Sequence, residues 1–190
     1  MTNDSDRLVI SKTRQWLDDI VIGLNFCPFA KKPFSEDSIN YIVDNSDSIE
    51  SALEEVINQC RLLDSNQGET TLIIYTHGLL ADFFSYLDYL DLANQLMIAQ
   101  GYEGIYQLAS FHPDYCFDGL KQDAAENFTN RSPYPMLHII REKSLEKALV
   151  HYPDAQQIPE KNIELAKQKG YRFFSDYLDN LKKQSSNDIN

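Results

Sequence analysis

The sequence has few cysteines and no long apolar segment. Its three cysteines, Cys27, Cys60 and Cys116, are an odd number without a CxxC pair, which excludes a disulfide framework and a four-cysteine zinc site. No run approaches the roughly 18 apolar residues that a membrane-spanning helix needs. The polar, acid-containing N-terminus does not have the features of a signal or transit peptide. Together these features predict a cytoplasmic protein with no membrane contact.

Basic charge is also scarce. The chain has 17 Lys and Arg against 29 Asp and Glu, a net charge of −12. Residues 31–100 hold only 3 basic side chains and 12 acidic ones. Such an acidic protein repels phosphate backbones at long range, which disfavours nucleic acid as a partner. We interpret the acidic region as a solvated surface; the sequence does not indicate the oligomeric state.

What is present is enough for one domain with a proper core. The chain has 190 residues, of which 43% are hydrophobic, and it contains no internal repeat or linker. We predict a single α/β domain over residues 1–183 and a disordered tail over residues 184–190, where the sequence becomes polar.

Apolar periodicity predicts helices alternating with strands. Helical spacing appears from about Arg7 to Gly23, after a cap at Asp47 or Ser48, and after a cap at Asp82. Two or three more helices close the chain. Four segments are typical of strands, at 39–43, 70–76, 104–111 and 135–141. Strands that alternate with long helices indicate a mixed, mostly parallel sheet of about four strands covered by helices.

The segment from 112 to 132 is polar and has no period of its own. It leaves the third strand at His112 in the stretch "SFHPDYCF" (110–117) and returns to the fourth strand after Pro135. Long loops in compact domains are often functional, and sites gather outside the carboxyl ends of strands. His112, Asp114 and Cys116 are therefore candidates for proton transfer or metal binding, or for shaping a turn around Pro113.

Two further clusters contain reactive or charged side chains. Cys27, in "GLNFCPFAKKPF" (23–34), is either a nucleophile helped by nearby lysines or a small buried apolar residue. In "NFTNRSPYP" (127–135), a forked guanidinium and two amides could bind a carboxylate or phosphate, or could serve internal contacts instead. Arg141 and His138 follow on the fourth strand. The candidates for binding a substrate are Asn127, Asn130, Arg131 and Arg141.

Three segments of the sequence resemble a known family. "GLNFCPFA", "YQLASFHPDYCFDG" and "NFTNRSPYPMLHIIRE" are similar to the signature segments of the bacterial family of unknown function DUF1415. The similarity runs from the first helix to about Gly170. It implies a cytosolic bacterial protein and transfers no established reaction. The positions that match the family's motifs are Cys27, His112, Asp114, Asn130, Arg131, His138, Arg141 and Glu142; Cys116 is not among them.

Three hypotheses follow from these residues. The first is a small enzyme in which Cys27 is the nucleophile, His112 its base and Asp114 the group that orients the imidazole, acting on a small anionic molecule. The second is a site for a divalent transition metal such as zinc, with His112, Asp114 and His138 as ligands, and Cys27 as a further one. The third is a non-catalytic module that binds a small anion or a protein.

Overall fold

Helices and strands of the computed structural model begin and end close to the predicted positions. The structure describes residues 3–65 and 68–185. The five residues 186–190 of the predicted disordered tail lie outside the described residues. In chain order the elements are α1 (Asp4–Trp16), continued by a π-helical segment (Leu17–Ile22), α2 (Lys31–Ser35), β1 (Ile39–Asp44), α3 (Ile49–Asp64), β2 (Thr70–Tyr75), a 3-10 turn (Gly78–Leu80), α4 (Phe83–Ala99), β3 (Tyr106–Phe111), a 3-10 turn (Ala125–Thr129), β4 (Met136–Arg141), α5 (Glu142–Val150), a 3-10 turn (Ala155–Gln157), α6 (Ile158–Lys169) and α7 (Tyr171–Lys183).

Capping side chains account for the helix starts. Ser48 accepts a hydrogen bond from the Ser51 amide at the start of α3, and Asp82 accepts one from the Ser85 amide at the start of α4. Each satisfies an N–H group that the first turn of a helix leaves without a partner. Gly170, between α6 and α7, has a φ of 78°, a conformation that glycine adopts without strain.

The four strands form one sheet in the order β1-β2-β4-β3. Only β1 and β2 pair in parallel; β4 is antiparallel to both of its neighbours. The sheet is thus mixed, and the prediction of a mostly parallel sheet was wrong. A parallel strand needs a crossover to return to the opposite edge of the sheet. The connection from β3 to β4 contains only a short 3-10 turn, so β4 starts at the edge where β3 ends.

The sheet separates two apolar layers. One layer, which we call the α3/α4 face, contains Ile73, Leu137 and Ile139 of the strands together with the buried sides of α3 and α4. The other, the α1/α7 face, contains Leu72, Ile74 and Met136 together with α1, α6 and α7. The alternation of neighbouring residues between the two layers follows from the two-residue period of a strand. Among the described residues no helix is both long enough and apolar enough to cross a membrane.

Candidate functional site

His112 is held by backbone groups on both sides of its ring. The Asp114 amide donates to Nδ1 at 3.0 Å, so Nδ1 is the acceptor and Nε2 carries the proton, which it donates to the Leu80 carbonyl at 3.1 Å. The side chain is fully buried against Phe83 and Tyr86, and burial lowers its pKa. A neutral imidazole with both nitrogens engaged fixes the turn at the end of β3.

The structure does not bring the three predicted catalytic residues together. His112 lies on the α3/α4 face, whereas Cys27 packs against the α1/α7 face. The Asp114 side chain is exposed. Burial is the main influence on Cys27 and raises the pKa of its thiol, although the Phe29 and Ala30 amides oppose the shift. A protonated thiol on one side of the sheet and an engaged imidazole on the other do not form a nucleophile and its base, because the two groups must be within hydrogen-bond reach.

The predicted metal ligands are separated in the same way. His138 lies on the α1/α7 face, where its Nε2 is 2.6 Å from the Thr70 hydroxyl, and burial lowers its pKa to about 4. His112 lies across the sheet from it. Within residues 3–65 and 68–185, no group of three or more His, Cys, Asp or Glu side chains is placed to hold a metal ion. The structure therefore does not bring His112, Asp114 and His138 together.

Two buried polar residues of the loop, Asn127 and Arg131, bind the backbone of the loop itself. Asn127 is fully buried; its amide nitrogen donates to the Lys121 carbonyl at 2.8 Å and its oxygen accepts from the Phe117 amide at 3.0 Å. Arg131 is 7% exposed and donates to the carbonyls of Tyr115 and Gln122 at 2.9 and 2.7 Å. These bonds replace the ladder that a helix or strand would supply, so a segment without regular structure keeps its buried backbone groups paired.

Arg131 also lies over the Phe128 ring, 4.9 Å from its centre. No carboxylate of the described residues lies within 4 Å of its guanidinium, so carbonyl dipoles and an aromatic face compensate the charge. The crevice that it lines with Trp16 and Phe174 leaves no room for a water molecule. An anionic ligand for this arginine stays a prediction.

Asn130 and Arg141 likewise contact backbone. The Asn130 amide donates to the Ser110 carbonyl at 3.1 Å, on the outer side of β3. Arg141 donates to the Leu63 carbonyl at 2.6 Å and lies over the Tyr106 ring. Of the four predicted binding residues, each is therefore placed where it supports the fold around the ends of β3 and β4.

A groove between α4 and β3 has room for a ligand. It holds about 230 Å³ of open space and is lined by residues of α4, of the turn that follows it, of β3 and of the start of α5. Its walls combine apolar and aromatic side chains with two amides, those of Asn94 and Gln107, and two carboxylates, those of Glu103 and Glu142. The lining residues are Asn94, Met97, Ile98, Tyr102, Glu103, Gly104, Tyr106, Gln107, Leu108 and Glu142.

Asp64 fixes the two aromatic walls of this groove. Its carboxylate accepts hydrogen bonds from the hydroxyls of Tyr102 at 3.1 Å and Tyr106 at 2.8 Å, and the two ring centres are 5.6 Å apart. Burial, followed by the bond to Asp64, raises the pKa of each phenol, so both stay protonated and keep donating. The rings are thus held in place before any ligand arrives, which reduces the entropy lost on binding.

Sequence reasoning did not find this groove. Tyr102 and Glu103 follow α4, whereas Glu142 follows β4, nearly 40 positions later. These residues lie close together because β3 pairs with β4 in a register that places Tyr106 opposite Arg141. The only local signal was the aromatic and acidic stretch "GYEGIY" (101–106) before a strand, and this stretch alone indicates a turn.

The fold and the groove define a mixed α/β domain with a preformed acidic and aromatic groove at one end of its edge strand. The family model described as "Protein of unknown function (DUF1415)" matches residues 8–176. Because this match covers most of the 190 residues, the chain belongs to that family. No curated protein and no solved structure matches the chain.

Proposed function

We propose that the protein binds a positively charged group on an apolar stem in the groove between α4 and β3. The observation that carries this proposal is the composition of the groove: two carboxylates beside apolar, aromatic and amide side chains, with no Lys, Arg or His among its ten lining residues. Of the three hypotheses from the sequence, a non-catalytic binding module is the closest to this function.

Charge complementarity supports a cationic ligand. Glu103 and Glu142 are the charged residues of the groove, and α3 and α4 belong to the region of residues 31–100 that has a net charge of −9. A negative surface raises the local concentration of cations and steers them to the site. Anions are repelled by the same field.

The apolar and aromatic walls favour a ligand whose cationic group is attached to an apolar stem. Met97, Ile98 and Leu108 offer apolar contact, and the Tyr102 and Tyr106 rings offer aromatic surface. The volume of 230 Å³ would hold about eight water molecules at ~30 Å³ each, which is smaller than a site for a drug-sized ligand. A short aliphatic chain that ends in an ammonium or guanidinium group meets both conditions.

The proposal is tested with n-pentylammonium as the probe and with pentanol and pentanoate as matched neutral and anionic controls. Amide chemical shifts of the labelled protein should change around Tyr102 and Leu108 with pentylammonium, less with pentanol, and not with pentanoate. Replacing either groove carboxylate, Glu103→Gln or Glu142→Gln, should weaken pentylammonium binding by about two- to fivefold, as for a partly exposed ion pair.

The control variant is Glu146→Gln, on the exposed side of α5 and outside the groove. It changes the net charge by the same amount and should leave the affinity within experimental error. Equal affinity for pentanol and pentylammonium, or an equal loss in all three variants, would overturn the proposal, since binding would then depend on apolar contact or on net charge.

A further inference from the structure

β3 is an edge strand, and its pairing with β4 determines which of its backbone groups face outward. The Glu142 amide donates to the Ile105 carbonyl at 3.0 Å, so the odd-numbered residues of β3 exchange hydrogen bonds with β4. In an antiparallel pair the intervening residues point their N–H and C=O groups the other way. Those residues are Tyr106, Leu108 and Ser110.

Two of these six outward groups are already bonded. The Tyr106 N–H donates to the Tyr102 carbonyl at 3.2 Å, and the Ser110 carbonyl accepts from the Asn130 amide at 3.1 Å. In the part of the chain that the structure describes, the other four have no hydrogen-bond partner. They are the Tyr106 carbonyl, the Leu108 N–H and carbonyl, and the Ser110 N–H.

These four groups match one short extended chain that runs antiparallel to β3. A residue opposite Leu108 would exchange two hydrogen bonds with it. The peptide N–H two positions after that residue would donate to the Tyr106 carbonyl. The peptide carbonyl two positions before it would accept from the Ser110 N–H. The complete set requires an acyl group, three residues and a terminal amide. A longer peptide would run against the Tyr102 carbonyl at one end of this edge and against the Asn130 side-chain amide at the other.

We propose that the groove recognises a short extended peptide, pairing its backbone with Leu108 and taking up the side chain of a central lysine. This inference rests on the proposed function, because it identifies what carries the cation. Side chains of directly opposed residues lie on the same side of a sheet. The central side chain therefore enters the groove beside Leu108, with its methylenes along Ile98 and its ammonium near Glu103 and Glu142.

A second copy of this chain does not fit the same register. Its central residue would be another Leu108, which carries no positive charge for the two carboxylates. Its own Tyr102 and Asn130 would also occupy the space beside the first copy's Ser110 and Tyr106. Pairing through this edge thus favours a free peptide segment over another β3, in the mode in which a strand is added to an exposed sheet edge.

The test compares acetyl-Ala-Lys-Ala-amide with n-pentylammonium by calorimetric titration of the full chain. The peptide should bind at least about tenfold more tightly, since it adds several net hydrogen bonds to the same cation. Acetyl-Ala-norleucine-Ala-amide, which lacks the charge, should bind less tightly than the lysine peptide. A peptide methylated on the nitrogen of its central residue should lose the gain, because that nitrogen can no longer donate to the Leu108 carbonyl.

Leu108→Pro tests the protein side of the same contact. Proline removes an N–H that faces away from β4, so the β3–β4 ladder keeps its bonds. Because Leu108 lines the groove, both Leu108→Pro and its control Leu108→Ala should bind pentylammonium less tightly than the unchanged protein. Leu108→Ala keeps the N–H and should preserve the ratio of peptide affinity to pentylammonium affinity, whereas Leu108→Pro should lower that ratio. If Leu108→Pro does not fold, the methylated peptide on the unchanged protein decides the question.

Each outcome of these binding measurements decides one part of the two proposals. Peptide binding no tighter than pentylammonium binding overturns the peptide inference and leaves the cation proposal standing. Equal binding of the lysine and norleucine peptides overturns the choice of a basic side chain. Absence of binding by pentylammonium and by both peptides overturns both proposals.

Discussion

Asn127 should be among the most sensitive positions of the protein, although it lies in a loop. Its side chain is fully buried and serves the Phe117 amide and the Lys121 carbonyl. In Asn127→Ala both groups lose their partner, at a cost of about 1–3 kcal/mol for each group that water cannot reach. Because Lys121 lies in an exposed stretch, water can partly replace its bond. We therefore expect the free energy of unfolding to fall by about 2–4 kcal/mol.

Urea unfolding at neutral pH measures this change as a lower midpoint with an unchanged slope. Asn58→Ala is the control: Asn58 is exposed on α3, and among the described residues its side chain hydrogen-bonds only to Arg61, so its loss should change stability by less than about 0.5 kcal/mol. If the free energy of unfolding of Asn127→Ala lies within that same margin of the unchanged protein's, this side chain does not hold the loop in place.

Three further outcomes follow from burial and backbone geometry. Burial lowers the pKa of His138 from 6.5 to about 4, so as the pH falls the unfolded chain binds a proton at this residue before the folded chain does. The free energy of unfolding, measured with urea, should therefore fall by up to about 2 kcal/mol between pH 7 and pH 5, and His138→Gln should lack that loss. Gly68→Ala should lower the free energy of unfolding by up to about 1 kcal/mol more than Gly119→Ala, because both glycines have positive φ but of the two only Gly68 has a side chain, the amide of Asn40, that must move away from the new Cβ. Cys27 should react with iodoacetamide more slowly than glutathione at pH 7, since burial raises its pKa; faster alkylation would contradict the assigned environment.

The order of the elements could be predicted because each depends on its own residues. The caps Ser48 and Asp82 satisfy the first turns of α3 and α4 and needed no knowledge of the rest of the chain. The direction of β4 depends instead on what joins it to β3. The sequence does show that no helix joins β3 to β4, and a connection without a helix favours an antiparallel pair of strands. The prediction of a mostly parallel sheet followed the alternation of helices and strands in the rest of the chain instead.

The site was less predictable because residue type does not show which partner a side chain finds. His112 and Arg131 have the chemistry of a base and of an anion clamp, yet backbone carbonyls and amides occupy their bonding atoms. A sequence contains no such information for contacts between distant segments. The groove was missed for the converse reason: its carboxylates are ordinary surface residues until the pairing of β3 with β4 brings Glu142 beside α4.

The loop and the groove are connected through Asn130. Its carbonyl accepts a hydrogen bond from the His112 N–H at 3.2 Å, and its side-chain amide donates one to the Ser110 carbonyl. This one residue therefore pairs the last outward-facing backbone groups at the C-terminal end of β3. Unprotected edges pair with other chains and aggregate. The bonds of Asn127 and Arg131 hold the segment that carries Asn130 in place. A loop whose buried polar side chains bind backbone can therefore still shape a binding site, since it limits the free edge beside the groove to the length of one short peptide.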